Sequence, residues 1–226
     1  MTYQWERSDG GIDPPLGITF AGAGSQTVRM LWHPSTSGFG WARLRILRPN
    51  VMTSNHANFT LTCRREVTLS VVGNETGSIS TTDLVSNAIV GAGDGALNAS
   101  ISGYVSFDIT AFAGRTVQSI TLTMNPAIES GDRSFLGDLW IGTLDYDTGP
   151  LQAAARLIPA VHLATFPNRV TAISYGGENM RTALQSRIDA RNPRFQLKMY
   201  WSRPSSDGDF VEDGLGYLDI YQAVSL

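Results

Sequence analysis

One loop near the C-terminal end of the sequence concentrates acidic side chains. Residues 206–214 read Ser-Asp-Gly-Asp-Phe-Val-Glu-Asp-Gly and place Asp207, Asp209, Glu212 and Asp213 within seven positions. Calcium takes about six to eight oxygen ligands, mainly from carboxylates and carbonyls, and glycines let a short loop turn around an ion. The later ligands and flanking helices of an EF-hand are missing. The loop is therefore either a structural calcium site formed by these four acids or a solvated acidic turn.

Four aromatic residues are candidates for stacking on a sugar ring: Trp140, Tyr146, Tyr217 and Tyr221. The two tyrosines near the C-terminus have the opposite parity from the apolar residues of their strand, so we expect them to be exposed. Exposed aromatic residues on strands also form ordinary cross-strand pairs. Both interpretations stay open, and the first predicts a carbohydrate-binding surface.

Most catalytic motifs are absent from the sequence. There is no His-Glu-x-x-His pattern, no Gly-x-Ser-x-Gly elbow and no Gly-x-x-x-x-Gly-Lys loop, and Cys63 is the single cysteine. A glycosidase needs two carboxylates across a cleft. The 20 acidic residues offer many pairs, so a glycosidase remains a weaker alternative to a chain without catalytic activity.

The elements that would position these residues are strands. Apolar residues alternate with polar ones in many short runs, for example from Val67 to Val71, from Val105 to Ile109, from Ile120 to Met124 and from Phe195 to Trp201. Glycine-rich and Asp-rich turns separate the runs, and the segment Gly91–Gly95 is interpreted as a loop. Regular alternation of this kind is typical of antiparallel sheets with one buried face. The sequence predicts an all-β, antiparallel, jelly-roll-like β-sandwich.

One segment has helical instead of strand periodicity. Met180, Leu184 and Ile188 are spaced four residues apart and form one apolar stripe, and Asn192-Pro193 ends the pattern. We expect a single short helix around residues 178–191 that packs its stripe against the sandwich.

Composition and charge exclude several classes of partner. Charged residues make up 16% of the chain, against roughly 25% in an average globular protein, and the net charge of −3 gives no reason to expect nucleic acid. No apolar run approaches the roughly 20 residues that span a bilayer. Residues 1–25 lack the basic start and apolar core of a signal peptide. We expect the protein in a virion or at the cell surface or outside the cell.

Three stretches resemble a known family of modules. They are Gly103–Thr110, Ile120–Met124 and Phe195–Trp201 followed by the acidic loop. Over residues 67–226 the chain is similar to the disaggregatase-related, carbohydrate-binding-module-like β-sandwiches of bacterial and archaeal surface proteins. The resemblance implies an extracellular jelly roll without catalytic residues that binds polysaccharide in some members. Residues 1–60 do not match the family.

These observations lead to a division of the chain and to two functions. We expect residues 1–60 to form an N-terminal arm with accessory strands that anchors or assembles the protein, and residues 61–226 to form the sandwich. The first function is that of a non-catalytic structural or decorating protein of a virus particle, phage particle or cell-surface layer. Its partners would be other subunits, in a homo-oligomer or on a scaffold protein. The alternative is a carbohydrate-binding module, and neither function requires a cofactor other than structural calcium.

Overall fold

The structure is a computed structural model that describes residues 66–95, 97–203 and 206–226 in full. Of the first 65 residues it describes only the backbone of four strands. The chain divides into two compact units, residues 1–65 and residues 66–226.

The first unit contains two antiparallel strand pairs. Strand β1 (Thr2–Arg7) pairs with β4 (Ala42–Leu47), and β2 (Ile18–Ala21) pairs with β3 (Arg29–Trp32). The predicted anchoring arm of residues 1–60 falls on this unit, and most of it lies outside the described residues.

The second unit is an antiparallel β-structure with one α-helix, as the alternation predicts. Its strands belong to one curled sheet of eleven. In chain order the elements are β5 (Glu66–Ser70), β6 (Gly77–Ser80), β7 (Val85–Ser86), β8 (Val90–Gly95), β9 (Ala99–Asp108), β10 (Ser119–Ser130), β11 (Leu139–Leu144), β12 (Val161–Phe166), β13 (Ile173–Tyr175), α1 (Glu178–Asp189), β14 (Arg194–Trp201) and β15 (Asp213–Ser225). The predicted all-β, sandwich-like fold is confirmed.

The sheet curls because its long strands change partners along their length. One edge of β9 has two partners in succession: Ile101 pairs with Gly93 of β8, and Gly103 pairs with Met199 of β14. The opposite edge of β9 pairs with β6. Strand β9 therefore connects one layer, formed by β8, β15, β10 and β13, to a second layer formed by β14, β11 and β12. The two layers enclose the main core, to which β8, β9, β10, β11, β14 and β15 all contribute buried side chains.

The helix covers the core where β10, β12 and β14 approach it. Met180, Leu184 and Ile188 are all buried, so the predicted helix and its apolar stripe are confirmed. The helix is fixed at both layers: Gln185 accepts a hydrogen bond from the Val117 amide, and Arg187 donates one to the Leu144 carbonyl.

Two local predictions are wrong: the loop at Gly91–Gly95 and the exposure of Tyr217. The segment Gly91–Gly95 is part of strand β8, not a loop. Strand β15 contains a β-bulge opposite β10. Asn125 and Pro126 of β10 pair with Asp219 and Tyr217 of β15, so Leu218 of β15 is the extra residue. The bulge reverses the alternation, and for this reason Leu218 is 60% exposed while Tyr217 is fully buried.

Candidate functional site

Two aspartates face each other inside one end of the sandwich. Asp94 of β8 is the register partner of Asp213 of β15. Asp94 has the same parity as the core residues Val90 and Ala92, so its side chain points to the inner face of its strand. Both aspartates are only 2% exposed. Two carboxylates that oppose each other directly on adjacent strands destabilise the pair when both are charged.

The carboxylate oxygens of this pair lack most of the hydrogen bonds that burial requires. Among the described residues, both oxygens of Asp94 and Oδ2 of Asp213 have no partner. Burial, the largest cause, raises the pKa of Asp213 above its ordinary value, and the charges of Asp207, Asp209 and Asp94 act in the same direction. The backbone amide of Asp132 donates a hydrogen bond to Asp213 and opposes this increase. Asp213 therefore lies in a negative environment that favours a nearby positive charge.

A third carboxylate comes from the loop that precedes β15. One oxygen each from Asp94, Asp207 and Asp213 lies within 4.8 Å of the other two. Side-chain caps fold the loop: Asp207 accepts from the Asp209 amide at 3.1 Å, and Asp209 accepts from the Val211 amide at 2.8 Å. Asn98, next to β9, accepts hydrogen bonds from Ser206 and from the Phe210 amide. This anchor holds the loop against the end of the sandwich.

The structure thus groups two of the four predicted calcium ligands. Asp207 and Asp213 belong to the cluster of three acids, whereas Asp209 and Glu212 do not. Glu212 lines two surface grooves, one of them together with Asp94 and Asp213. The sequence interpretation missed Asp94 because it assigned residues 91–95 to a loop. The signal was present in the parity of Val90, Ala92 and Asp94, which place an acid in line with two core residues.

The predicted sugar-binding aromatics have different environments. Tyr217 is fully buried and its hydroxyl donates to the Thr171 carbonyl at 2.7 Å, so its expected exposure is wrong. Tyr146 is 6% exposed and its hydroxyl donates to the Glu75 carbonyl. Burial raises the pKa of both phenols. Tyr221 and Trp140 are half-buried.

Trp140 lies at the centre of an outer-face patch on β11, β12 and β14. We define this patch as Trp140, His162, Thr165, Lys198 and Tyr200. Trp140 pairs with Tyr200 on one side and with Thr165 on the other. Its ring makes edge contacts with His162 at 5.1 Å and with Tyr200 at 5.8 Å between centroids. The Lys198 ammonium lies 5.4 Å from the Tyr200 ring, and burial lowers its pKa. Of these five residues, only Trp140 was predicted as a sugar-binding residue. The other four come next to it through strand pairing, which the pattern of a single strand does not reveal.

The acidic end of the sandwich also carries a groove with an apolar rim. The groove has a volume of about 210 Å³ and is lined in part by Ser78, Leu84, Leu97 and Glu212. We define the apolar rim as five exposed side chains, of which Leu84 and Leu97 line the groove and the other three lie within two positions of a lining residue in the chain. They are Leu84, Val85, Leu97, Phe210 and Val211. The described residues include nine large apolar side chains with high exposure, and five of them belong to the rim as defined.

The described part of the chain contains no helix that is long and apolar enough to cross a membrane. No protein-family model matches the sequence, and no curated protein is significantly similar to it.

Proposed function

We propose that this protein is a non-catalytic structural or decorating subunit of a larger assembly, such as a virus particle, a phage particle or a cell-surface layer. The observation that carries the proposal is the apolar rim. Contiguous exposed apolar side chains on a protein surface are typical of protein–protein contact sites, and Leu84 and Leu97, each at least 60% exposed, line one groove. The partner is another subunit of the assembly, either a second copy or a scaffold protein.

The absence of catalysis is part of the same proposal. The opposed carboxylates of Asp94 and Asp213 are the nearest equivalent of a catalytic pair among the described residues. Each is 2% exposed and lies on the inner face of its strand. A glycosidase pair has to flank a sugar in an open cleft, whereas these two carboxylates oppose each other directly on adjacent strands and are almost completely covered.

The assembly proposal is tested by the mass of the protein in solution. Light scattering is performed on the full chain over a range of concentrations, and on a double variant, Leu84→Ser with Leu97→Ser. The control carries Leu157→Ser and Leu218→Ser, which remove side chains that are similarly exposed but lie outside the rim. We expect a defined oligomer that loses mass in the rim variant and keeps it in the control. A parent chain that remains monomeric at every concentration would contradict self-assembly.

A second candidate function is binding of a polysaccharide, which the outer-face patch favours. Trp140 offers a half-exposed indole flanked by the hydrogen-bonding groups of His162 and Thr165. An apolar ring face surrounded by a few polar groups is the usual composition of a small-ligand site. The resemblance of residues 67–226 to carbohydrate-binding modules supports the same function.

Affinity electrophoresis in gels that contain soluble polysaccharides tests this second function. Retardation of the parent chain that disappears in Trp140→Ala, but persists in Tyr221→Ala, would support the patch as the binding site. Tyr221 is the matched control because it is also half-buried and aromatic but lies on β15 in the other layer. Equal retardation of both variants would rule out Trp140 as a stacking residue.

A further inference from the structure

The starting point is an electrostatic conflict that the described residues leave unresolved. Asp94 and Asp213 oppose each other across two strands at 2% exposure. Three of their four carboxylate oxygens have no hydrogen-bond partner among the described residues. Burying charged groups is strongly unfavourable unless they are paired or bound to a metal. A pair in this position therefore requires a counter-charge or a shared proton.

The same unit treats its other buried carboxylate differently. Glu75 is also 2% exposed, but Arg194 and Ser106 donate hydrogen bonds to it, at 2.8 and 2.6 Å respectively. The groups that surround Asp213 are acidic: Asp94 and Asp207 each place a carboxylate oxygen within 4.8 Å of one of its own. The acidic end of the sandwich is therefore negatively charged, whereas an arginine neutralises the Glu75 site.

The third acid makes a cation the better solution than a proton. One proton shared between Asp94 and Asp213 would leave the Asp207 carboxylate beside a still-negative pair. A divalent ion would instead use all three groups. Calcium–oxygen distances are about 2.3–2.6 Å, so two oxygens on opposite sides of one ion are about 5 Å apart. The mutual distances of up to 4.8 Å between the three acids fit this geometry.

We infer that Asp94, Asp207 and Asp213 together bind one calcium ion, which fixes the loop of residues 206–212 to the end of the sandwich. Asp94 and Asp213 are held in place by the pairing of β8 with β15, and Asp207 supplies the third ligand from the loop. Asp209 and Glu212 are not ligands. The site goes beyond the proposed function and does not depend on it.

The primary test is calorimetric titration of the full chain with calcium chloride, after removal of metal with EDTA and dialysis. We expect one ion per chain. Asp207→Asn is expected to weaken binding by about tenfold or more, because it removes the charge of one ligand. Asp209→Asn is the matched control: it lies in the same exposed loop, and an asparagine keeps the side-chain oxygen that caps the Val211 amide. This variant is expected to bind calcium as the parent chain does.

Thermal unfolding of the parent chain provides an independent readout. A ligand that binds the folded state at about one hundred times its dissociation constant is expected to raise the Tm by about 5 °C or more. In EDTA, Asp94→Asn is expected to be at least as stable as the parent because it removes one of two opposed charges, but calcium is expected to raise its Tm much less. Equal calcium-induced shifts in the parent and in Asp94→Asn would contradict the role of Asp94.

Chymotrypsin cleavage measures the effect on the loop. Phe210 is 68% exposed in the segment that Asp207 would tie down, so calcium is expected to slow cleavage after Phe210 in the parent and in Asp209→Asn, but not in Asp207→Asn. The inference would be overturned if the full chain bound no calcium at millimolar concentration, or if Asp207→Asn and Asp209→Asn bound it equally well.

Discussion

At the scale of single residues, the Glu75 site shows how this unit accommodates a buried charge. Arg194 donates from Nε and Nη2 to the two oxygens of Glu75, Ser106 donates from its hydroxyl and Gly149 from its amide. Burial opposes ionisation of Glu75, but the bonds from Arg194 and Ser106 outweigh it and hold the pKa below its ordinary value of 4.5. The carboxylate therefore joins residues that are more than a hundred positions apart in the chain.

Replacement of Glu75 by glutamine is expected to cost about 1.5–3 kcal/mol of unfolding free energy at pH 7, because charge-assisted hydrogen bonds to a buried carboxylate are lost while Arg194 keeps only its exposed partner Asp108. The pKa of Glu75 is lower in the folded state than in the unfolded state, so its contribution is complete above about pH 4.5 and decreases as the pH falls through the folded-state pKa. Urea unfolding between pH 7 and pH 3 should show the parent and variant converging in acid.

The control for this prediction is Glu178→Gln, which breaks an exposed ion pair with Arg181 on helix α1. It is expected to change the stability little at any pH, because water screens an exposed pair. A constant difference between the parent and Glu75→Gln down to pH 3 would contradict the assigned pKa direction.

The sequence predicts part of the acidic site, for a physical reason. Asp207 and Asp213 are close in sequence, so an acid-rich loop reveals them. Asp94 is more than a hundred residues away, and only the pairing of β8 with β15 makes it their neighbour. Alternation within one strand predicts which face a residue occupies, but it does not give the identity of the neighbouring strand.

At the scale of elements, the helix and most strands follow from periodicity, and the bulge does not. The stripe of Met180, Leu184 and Ile188 specifies both the helix and its buried face. In β15 the same kind of argument fails at Leu218, because one extra residue reverses the inward and outward positions beyond it. The pairing of β10 with β15 determines this register, and a single-strand pattern contains no information about it.

Truncation of the helical stripe tests how strongly α1 depends on the sandwich. Leu184→Ala is expected to destabilise the protein by about 2–5 kcal/mol, since Leu184 is fully buried and its removal leaves a cavity. Ser186→Ala, on the exposed face of the same helix, is expected to be neutral or slightly stabilising. Denaturant unfolding followed by circular dichroism measures both. Equal effects would show that the helix contributes little to the core.

At the scale of the whole molecule, residues 66–226 form a complete sheet structure with their own core. The first strand of this unit, β5, pairs with its last strand, β15, and Val67 lies opposite Val224. Every strand of the curled sheet belongs to this unit.

We therefore expect residues 66–226 to fold when residues 1–65 are deleted. The fragment should unfold cooperatively, and its amide spectrum should be well dispersed in nuclear magnetic resonance. If the first unit anchors the assembly, the fragment should also have a lower mass in light scattering than the full chain under the same conditions. A fragment that aggregates or lacks cooperative unfolding would show that the first unit is needed for folding.

Strand β15 determines the order in which this fold can form during translation. It pairs with β5, β8 and β10, all of which leave the ribosome before it. Until residues 213–225 emerge, these three strands have an unpaired edge, and such edges attract other chains. Aggregation through these edges is therefore expected to stop only when β15 joins the sheet and pairs with all three strands.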